Sequence, residues 1–173
     1  YYLTRVEVLR LARCIKDLET RALILLTFGT GSRPGELHGA TALPAQGAFL
    51  MPETKNGERQ LKPVPMKLRR YMRHWPLSRH YSRYTARWRE ARKLAGLEHI
   101  HMHDLRHSTA SELISRGATL GQVKEVLGHV SVQATMRYAH LHASARQTLL
   151  DSIWQKTPHP TTATSGTGRR KPA

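Results

Sequence analysis

The sequence has little that would suit an exported or membrane-embedded protein. Cys14 is the one cysteine in 173 residues, so no disulfide can form within the chain. It lies at helical spacing from Leu11 and Leu18 and is predicted to be a small core residue. No apolar run approaches the length of a transmembrane helix, and no secretion signal opens the chain. These absences favour a reducing compartment, and we expect a cytoplasmic protein.

Acidic residues are scarce as well. The chain has 12 Asp and Glu against 28 Lys and Arg, which gives a formal net charge of +16. Because neutralising phosphates releases condensed counterions, this surplus favours a polyanionic partner, and nucleic acid is the first candidate. A membrane surface is the alternative, but the sequence shows neither a lipidation signal nor a large exposed apolar face.

One globular domain is expected over residues 1–156, since 39% hydrophobic residues can supply a single core. Beyond it, residues 157–173 are rich in Pro, Thr, Ser and Gly and contain a basic cluster. Such a segment has too few apolar side chains to offset the entropy of ordering. It is therefore predicted to be a disordered basic tail.

The predicted fold is mainly α-helical with a small antiparallel β-sheet. Residues 48–52 and 59–64 are predicted strands, and Asn56-Gly57 between them favours a hairpin with Lys55 at its tip. Residues 41–47 receive no assignment. Apolar spacing and capping residues predict helices over residues 4–17, 21–28, 66–75, 82–95, 104–115 and 143–154, with further helices at Pro34, Thr119 and Ser131.

Two arginines, Arg33 and Arg106, are far apart in the chain, but each lies beside a predicted helix start. Backbone N–H groups at a helix start favour an anion, and the planar guanidinium can bind two phosphoryl oxygens at once. The guanidinium also keeps its charge at neutral pH. Together the two arginines are predicted to form a phosphate clamp.

Tyr138 is the candidate nucleophile for a clamped phosphate. With an ordinary pKa of about 10, its hydroxyl is mostly neutral at pH 7 and needs a nearby base or positive charge. The leaving alkoxide must in turn receive a proton. Lys55 is the candidate general acid, provided that neighbouring cations lower its pKa.

Five motifs resemble, in the same order, the successive boxes of the tyrosine recombinase (phage integrase) catalytic domain. The resemblance covers about residues 3–155, and five motifs in register are far more specific than one alone. The motifs are Thr30-Gly31-Ser32-Arg33-Pro34-Gly35-Glu36-Leu37, Thr54-Lys55-Asn56, His103-Asp104-Leu105-Arg106-His107, Leu127-Gly128-His129 and Thr135-Met136-Arg137-Tyr138-Ala139-His140.

The resemblance implies a reaction and a set of site residues. Tyr138 would attack a DNA phosphate and form a 3′-phosphotyrosine link, which frees a 5′-hydroxyl that can later attack a partner strand. Arg33 and Arg106 would stabilise the pentacoordinate transition state. Glu36 matches the family's acidic residue behind the first arginine and would orient it.

The resemblance also implies proton-transfer residues. His103 would assist proton transfer at the tyrosine, and His129 would hydrogen-bond a non-bridging phosphate oxygen. Lys55 would protonate the leaving 5′-oxygen. Electrostatic catalysis of this kind requires neither a metal nor a nucleotide cofactor.

The expected partners follow from the same resemblance. They are double-stranded DNA and further copies of the chain, as a tetramer on DNA, in a nucleoid-associated protein of bacterial or phage origin. The predicted helix over residues 143–154 either completes the domain's own core or docks onto a neighbouring protomer. The family places an N-terminal DNA-binding domain before the catalytic one, so we expect this chain to be a catalytic-domain fragment or a remnant.

Two other functions stay open at this point. His103 and His107 are four residues apart on a predicted helix, a spacing by which two imidazoles can bind one zinc, so a metal-dependent hydrolase is conceivable. In the zinc motif with this spacing the first histidine is followed by a glutamate, whereas here it is followed by Asp104, and the sequence shows no third ligand. His107 is otherwise predicted to be a packing or capping residue. The second alternative is a DNA-binding remnant that has lost strand transfer.

Overall fold

The computed structural model describes residues 1–53, 59–128, 133–136, 138 and 139, and within them the chain is mainly helical with a small antiparallel sheet. This confirms the predicted fold class. The helices are α1 (Arg5–Cys14), α2 (Leu18–Thr30), α3 (Pro34–His38), α4 (Tyr81–Leu94), α5 (Asp104–Ser115), α6 (Leu120–Leu127) and α7 (Gln133–Met136). The strands are β1 (Thr41–Leu43), β2 (Ala48–Leu50) and β3 (Leu61–Pro63), and two 3₁₀-helices span Pro44–Gln46 and Met66–His74.

Helix α2 lies at the centre of the fold. It contacts α1, α3, α4, α5 and the 3₁₀-helix Met66–His74, and its side chains from Ala22 to Leu26 are all buried. A helix that is apolar around its whole circumference belongs in a core. Asp17 caps it by accepting a hydrogen bond from the backbone N–H of Thr20 at 2.9 Å. The predicted buried helix is thus confirmed, with three further residues at its N-terminus and two at its C-terminus relative to residues 21–28.

The sheet has the order β1-β2-β3, and both pairs are antiparallel. Pairing of β2 with β3 confirms the two predicted strands. The unassigned segment 41–47 supplies the third strand. This strand has only three residues, too few to show an alternation of apolar and polar side chains. Phe49 and Lys62 are cross-strand partners, and both are buried. The predicted hairpin tip at Lys55 lies outside the described residues.

The remaining helices mostly follow the sequence pattern. Helix α5 has the predicted bounds, and Thr119 caps α6 through a capping box with Gln122. Trp88 on α4 is buried, as its spacing predicted. The predicted helix at residues 66–75 is a 3₁₀-helix, a distinction that apolar spacings of three and four residues do not make.

Three predictions concern the C-terminal part of the chain. Helix α7 ends at Met136, so Tyr138 lies just beyond it, where its N–H donates to the carbonyl of Thr135 at 3.0 Å. The predicted cap Ser131, the helix over residues 143–154 and the tail over 157–173 lie outside the described residues. No helix in the part of the chain that the structure describes is long and apolar enough to cross a membrane.

Candidate active site

The turn after α2 brings three distant parts of the chain together. Gly31 ends α2 with a φ of 66°, in the left-handed region. A Cβ at this position would lie 2.7 Å from Cδ2 of Leu127 and 3.3 Å from Cγ2 of Thr109, so both conformation and space require glycine. The Gly31 carbonyl accepts a hydrogen bond from Nη1 of Arg106 at 2.8 Å. This turn therefore fixes the arginine of α5 against the start of α3.

Arg106 is almost completely buried, with 2% of its surface exposed. Its Nη1 is paired with Gly31, whereas its Nη2 has no hydrogen-bond partner in the described structure. The pKa of Arg106 is lowered to about 10, mainly by burial and additionally by the charge of Arg33, while Glu36 and Tyr138 oppose the shift. The side chain is still a cation at neutral pH, and it carries a buried donor that no described residue satisfies.

Arg33 has a different environment. It is the N-cap residue of α3, with Pro34 at the first helical position as predicted. Its Nη1 donates to Oε1 of Glu36 at 2.7 Å, and both side chains are about half exposed. Glu36 thus pairs with the first arginine in the way expected of an orienting carboxylate. It is also the acidic group that acts on the pKa of Arg106.

Lys62 is a third cation in this region, and the sequence did not single it out. It is 6% exposed, and its Nζ donates to the carbonyl of Val126 in the last turn of α6. The pKa of Lys62 is lowered to about 8, mainly by burial and additionally by the charges of Arg106 and Arg33, while Glu36 opposes the shift. Lys62 therefore lies within electrostatic reach of both arginines.

The hydropathy pattern of β3 does not predict that Lys62 is buried. In β3 the apolar Leu61 and the proline Pro63 are exposed while the lysine between them is buried, the reverse of the usual alternation. The signal that could have revealed it is the register. Lys62 lies opposite the buried Phe49, and cross-strand partners in an antiparallel pair share a face of the sheet.

Tyr138 lies inside the protein beside this cluster, with 5% of its surface exposed. Its hydroxyl forms a hydrogen bond with Nδ1 of His107, and the two ring centroids are 6.0 Å apart. Its ionised form acts on the pKa of Arg106. His107 was predicted to be a packing or capping residue, and the structure adds a hydrogen bond to Tyr138 that the pattern of α5 does not indicate.

His103 is the N-cap residue of α5, and its ring packs edge-on against that of His107 at 5.0 Å. The structure therefore brings Arg33, His103, Arg106 and Tyr138 into one region. Lys55 and His129 lie outside the described residues. The residue before His129 is Gly128, which ends α6 with a φ of 70° and would place a Cβ 3.2 Å from Nζ of Lys62.

The histidine pair His103 and His107 is the basis of the metal-site alternative. Among the residues whose positions are described, no group of three or more His, Cys, Asp or Glu side chains could hold a metal ion. The zinc-hydrolase alternative, which needs a third ligand beside His103 and His107, gains no support from this part of the chain.

The Phage integrase family matches residues 2–145. The shufflon-specific DNA recombinase of Escherichia coli is 30% identical over 168 residues, which cover 90% of this chain and 44% of that protein. Among solved structures, the catalytic domain of bacteriophage HP1 integrase has a TM-score of 0.67 at 23% identity, covering 87% of this chain and 93% of that domain. The XerH site-specific recombinase bound to difH substrate has a TM-score of 0.67 at 21% identity, covering 90% of this chain and 55% of that one.

The two structural matches show the fold, since their identities are below 25%. The chain spans less than half the length of the shufflon recombinase that it matches. The family match, however, covers every described helix, the sheet and the site around Arg106. The chain therefore belongs to the phage integrase family, the tyrosine recombinases, and represents their catalytic domain.

Proposed function

We propose that this protein is a site-specific DNA recombinase that cleaves and rejoins strands through a 3′-phosphotyrosine intermediate on Tyr138. The observation that carries the proposal is the buried guanidinium of Arg106, whose Nη2 has no partner in the described structure. Leaving a buried donor unsatisfied costs free energy, and a bound ligand with acceptor oxygens would recover it. A DNA phosphate supplies such oxygens together with a compensating negative charge.

The electrostatics of the site support an anionic ligand. Burial and, after it, repulsion from the neighbouring cations lower the pKa values of Lys62 and Arg106, and Glu36 is the acidic group that opposes this repulsion. A phosphodiester would relieve this repulsion. Fixed cations around a reacting phosphate also stabilise the negative charge of the transition state without reorganisation during the reaction.

The proposed reaction is an in-line displacement at phosphorus. The Tyr138 oxygen forms a bond to phosphorus as the bond to the 5′-oxygen breaks, so one phosphodiester replaces another and no water is consumed. The phenolic proton leaves the tyrosine, and the 5′-oxygen receives one proton. The reverse step, with a 5′-hydroxyl from another strand as nucleophile, rejoins the DNA.

The other site residues have supporting roles in this proposal. Lys55 protonates the leaving 5′-oxygen, and His129 hydrogen-bonds a non-bridging oxygen. His103 assists proton transfer at the tyrosine, in line with the contact between its ring and that of His107. No metal or nucleotide cofactor is required, since the cations are side chains.

The proposed partner is double-stranded DNA, bound by several copies of the protein. The net charge of +16 supports this, as do exposed basic residues on the 3₁₀-helix Met66–His74, among them Lys67, Arg70 and Arg73. The XerH site-specific recombinase, which has the same fold, was solved bound to difH substrate. We further propose a tetramer on DNA, with exchange of the C-terminal segment between protomers, in the nucleoid of a bacterium or phage host.

Covalent trapping tests this function without knowledge of the target site. The protein is incubated with a pool of nicked duplexes whose sequence around the nick is randomised, so that the pool includes the unknown target. Cleavage near the nick releases a short 5′-hydroxyl fragment that diffuses away, and the covalent intermediate therefore accumulates. Complexes that survive denaturation are isolated, and their DNA is sequenced. We expect trapped DNA with a shared sequence, attached to the peptide that contains Tyr138.

The Tyr138→Phe variant is the matched control, because it removes only the hydroxyl. It should retard DNA as the unchanged protein does and trap none. Equal trapping by the variant would overturn the assignment of Tyr138. Retention of DNA by both proteins with trapping by neither would favour the non-catalytic DNA-binding remnant.

A further inference from the structure

The hydrogen bond between Tyr138 and His107 joins the reacting oxygen directly to a titratable ring. The histidine atom in this bond is Nδ1, and the centroids of the two rings are 6.0 Å apart. His107 follows Arg106 in α5, so the helix that supplies the buried arginine also supplies the contact to the hydroxyl. The tyrosine is 5% exposed, so water has little access to its phenolic proton.

A phenol in such a site needs a proton acceptor when it attacks phosphorus. Its ordinary pKa is about 10, whereas that of imidazole is about 6.5, so a neutral histidine is the common side chain able to accept the proton near pH 7. Neutral histidine has one protonated and one free ring nitrogen. In the tautomer with the proton on Nε2, the unprotonated nitrogen is Nδ1, and this atom already lies in hydrogen-bond contact with the hydroxyl.

The charge of Arg106 favours loss of the proton from the tyrosine. Arg106 is close enough to the tyrosine for the phenolate charge to act on its pKa, so the guanidinium stabilises the oxygen anion that develops. The ring of His103 packs edge-on against that of His107, with centroids 5.0 Å apart. His107 is the histidine whose hydrogen bond to the reacting hydroxyl the structure describes.

We infer that His107 is a catalytic residue that accepts the phenolic proton of Tyr138 as the tyrosine attacks the DNA phosphate. The inference rests on the proposed function. In this step Nδ1 of His107 gains the proton and becomes imidazolium, the O–P bond to Tyr138 forms, and the bond from phosphorus to the 5′-oxygen breaks. The 5′-oxygen takes its proton from the ammonium group proposed at Lys55. Rejoining returns both protons, so the site is restored after a full cycle.

The first experiment compares two substitutions at His107 on the nicked DNA pool or on a sequence recovered from it. In asparagine the side-chain oxygen is separated from Cα by the same number of bonds as Nδ1 of histidine. His107→Asn therefore preserves an acceptor for the hydroxyl without a usable base, and His107→Ala removes both. We expect each variant to lose about 100-fold or more in single-turnover cleavage, the usual contribution of general base catalysis, with unchanged DNA retention.

A modified substrate separates this role from the protonation of the leaving group. Replacing the 5′-bridging oxygen by sulfur gives a thiolate leaving group, and a thiol with a pKa of about 8.5 leaves without a proton. The Lys55→Ala variant should then recover most of its rate. His107→Asn should remain about 100-fold slower than the unchanged protein, because its defect concerns the nucleophile.

The outcomes distinguish the inference from the function on which it rests. Cleavage by His107→Asn within a few-fold of the unchanged rate, or its recovery on the sulfur substrate, would overturn the role of His107 as proton acceptor. In either event the loss of trapping in Tyr138→Phe would still support the recombinase. Trapping that survives in Tyr138→Phe would overturn both.

Discussion

The three cations Arg33, Lys62 and Arg106 form a cluster with a buried end and an exposed end. The two ends differ in the groups that bind their charged side chains. At the buried end, Arg106 and Lys62 are 2% and 6% exposed, and their polar contacts are to the carbonyls of Gly31 and Val126. At the exposed end, Arg33 is half exposed and forms a 2.7 Å salt bridge with Glu36. Backbone carbonyls fix a cation without neutralising it, whereas a carboxylate both fixes and neutralises it.

The difference indicates how a site can keep an affinity for phosphate within a folded core. Burial without a counterion lowers the pKa of each buried cation and is unfavourable for folding. That cost is recovered when an anion binds, so it contributes to the preference for a phosphate. The exposed end carries no such penalty, because water and Glu36 already solvate Arg33. The buried end should therefore contribute more to catalysis and less to stability.

The largest expected effect is at Arg106. Arg106→Met replaces the guanidinium by an apolar side chain of similar length, and we expect cleavage to fall by about 1,000-fold or more, as for other arginines that stabilise a phosphoryl transition state. The unfolding free energy should stay the same or rise, since a buried charge without a counterion has been removed. Single-turnover trapping and chemical denaturation measure the two. A variant that loses stability along with cleavage would make Arg106 mainly a structural residue.

How much of this contrast the sequence could predict differs between the two ends. The motif around Arg33, with Pro34 after it and Glu36 one turn on, predicts the helix start and the ion pair that are observed. The burial of Arg106 could not be predicted, because it depends on the Gly31 turn, and these residues are 75 positions apart. Local periodicity carries no information on such a contact.

The same limit applies elsewhere in the site. Helix bounds, caps and the central position of α2 follow from apolar spacing, so most of the fold was predictable. Lys62 was missed because its burial depends on strand register, and His107 was assigned to packing because its partner Tyr138 follows a different helix. Side chains that meet across elements are determined by tertiary packing, and a single sequence does not show that packing.

Lys62 allows the stability cost of the buried end to be measured through pH. Its pKa is about 8 in the folded protein and about 10.5 when unfolded, so between these values the unfolded state binds more protons. Stability contributed at this site must therefore rise with pH over that window. In Lys62→Met the group is absent. Between pH 8 and 10.5 we expect the unfolding free energy of the unchanged protein, relative to that of Lys62→Met, to rise by up to about 3 kcal/mol.

Denaturant titrations of both proteins at several pH values provide the measurement for Lys62. The difference between the two is informative, because other titrating groups contribute equally to both. Lys62→Arg is the matched control, since its charge persists over the whole window and its stability difference from Lys62→Met should not change with pH. A flat difference for the lysine as well would mean that Lys62 is solvated.

At the exposed end, Arg33→Ala should affect cleavage and leave folding nearly unchanged. We expect cleavage to fall by about 100-fold, because one of the two arginines proposed to stabilise the transition state is lost. The unfolding free energy should change by less than about 1 kcal/mol, as for other exposed salt bridges. Parallel trapping and denaturation experiments test this. A loss of stability well above that value would show that the α2–α3 turn depends on the pair.

The smallest effect is expected from Glu36→Gln, which keeps the length and one acceptor oxygen of the side chain but removes its charge. Arg33 would lose the partner that orients it, while the site as a whole would become more positive. We therefore expect a fall in cleavage of about 10-fold or less, together with unchanged or tighter DNA retention at low salt. Gel retardation at two salt concentrations and single-turnover cleavage measure these opposite changes. If Glu36→Gln lost as much cleavage as Arg33→Ala, the orientation of Arg33 would matter as much as its charge, and the exposed end would be as tightly constrained as the buried one.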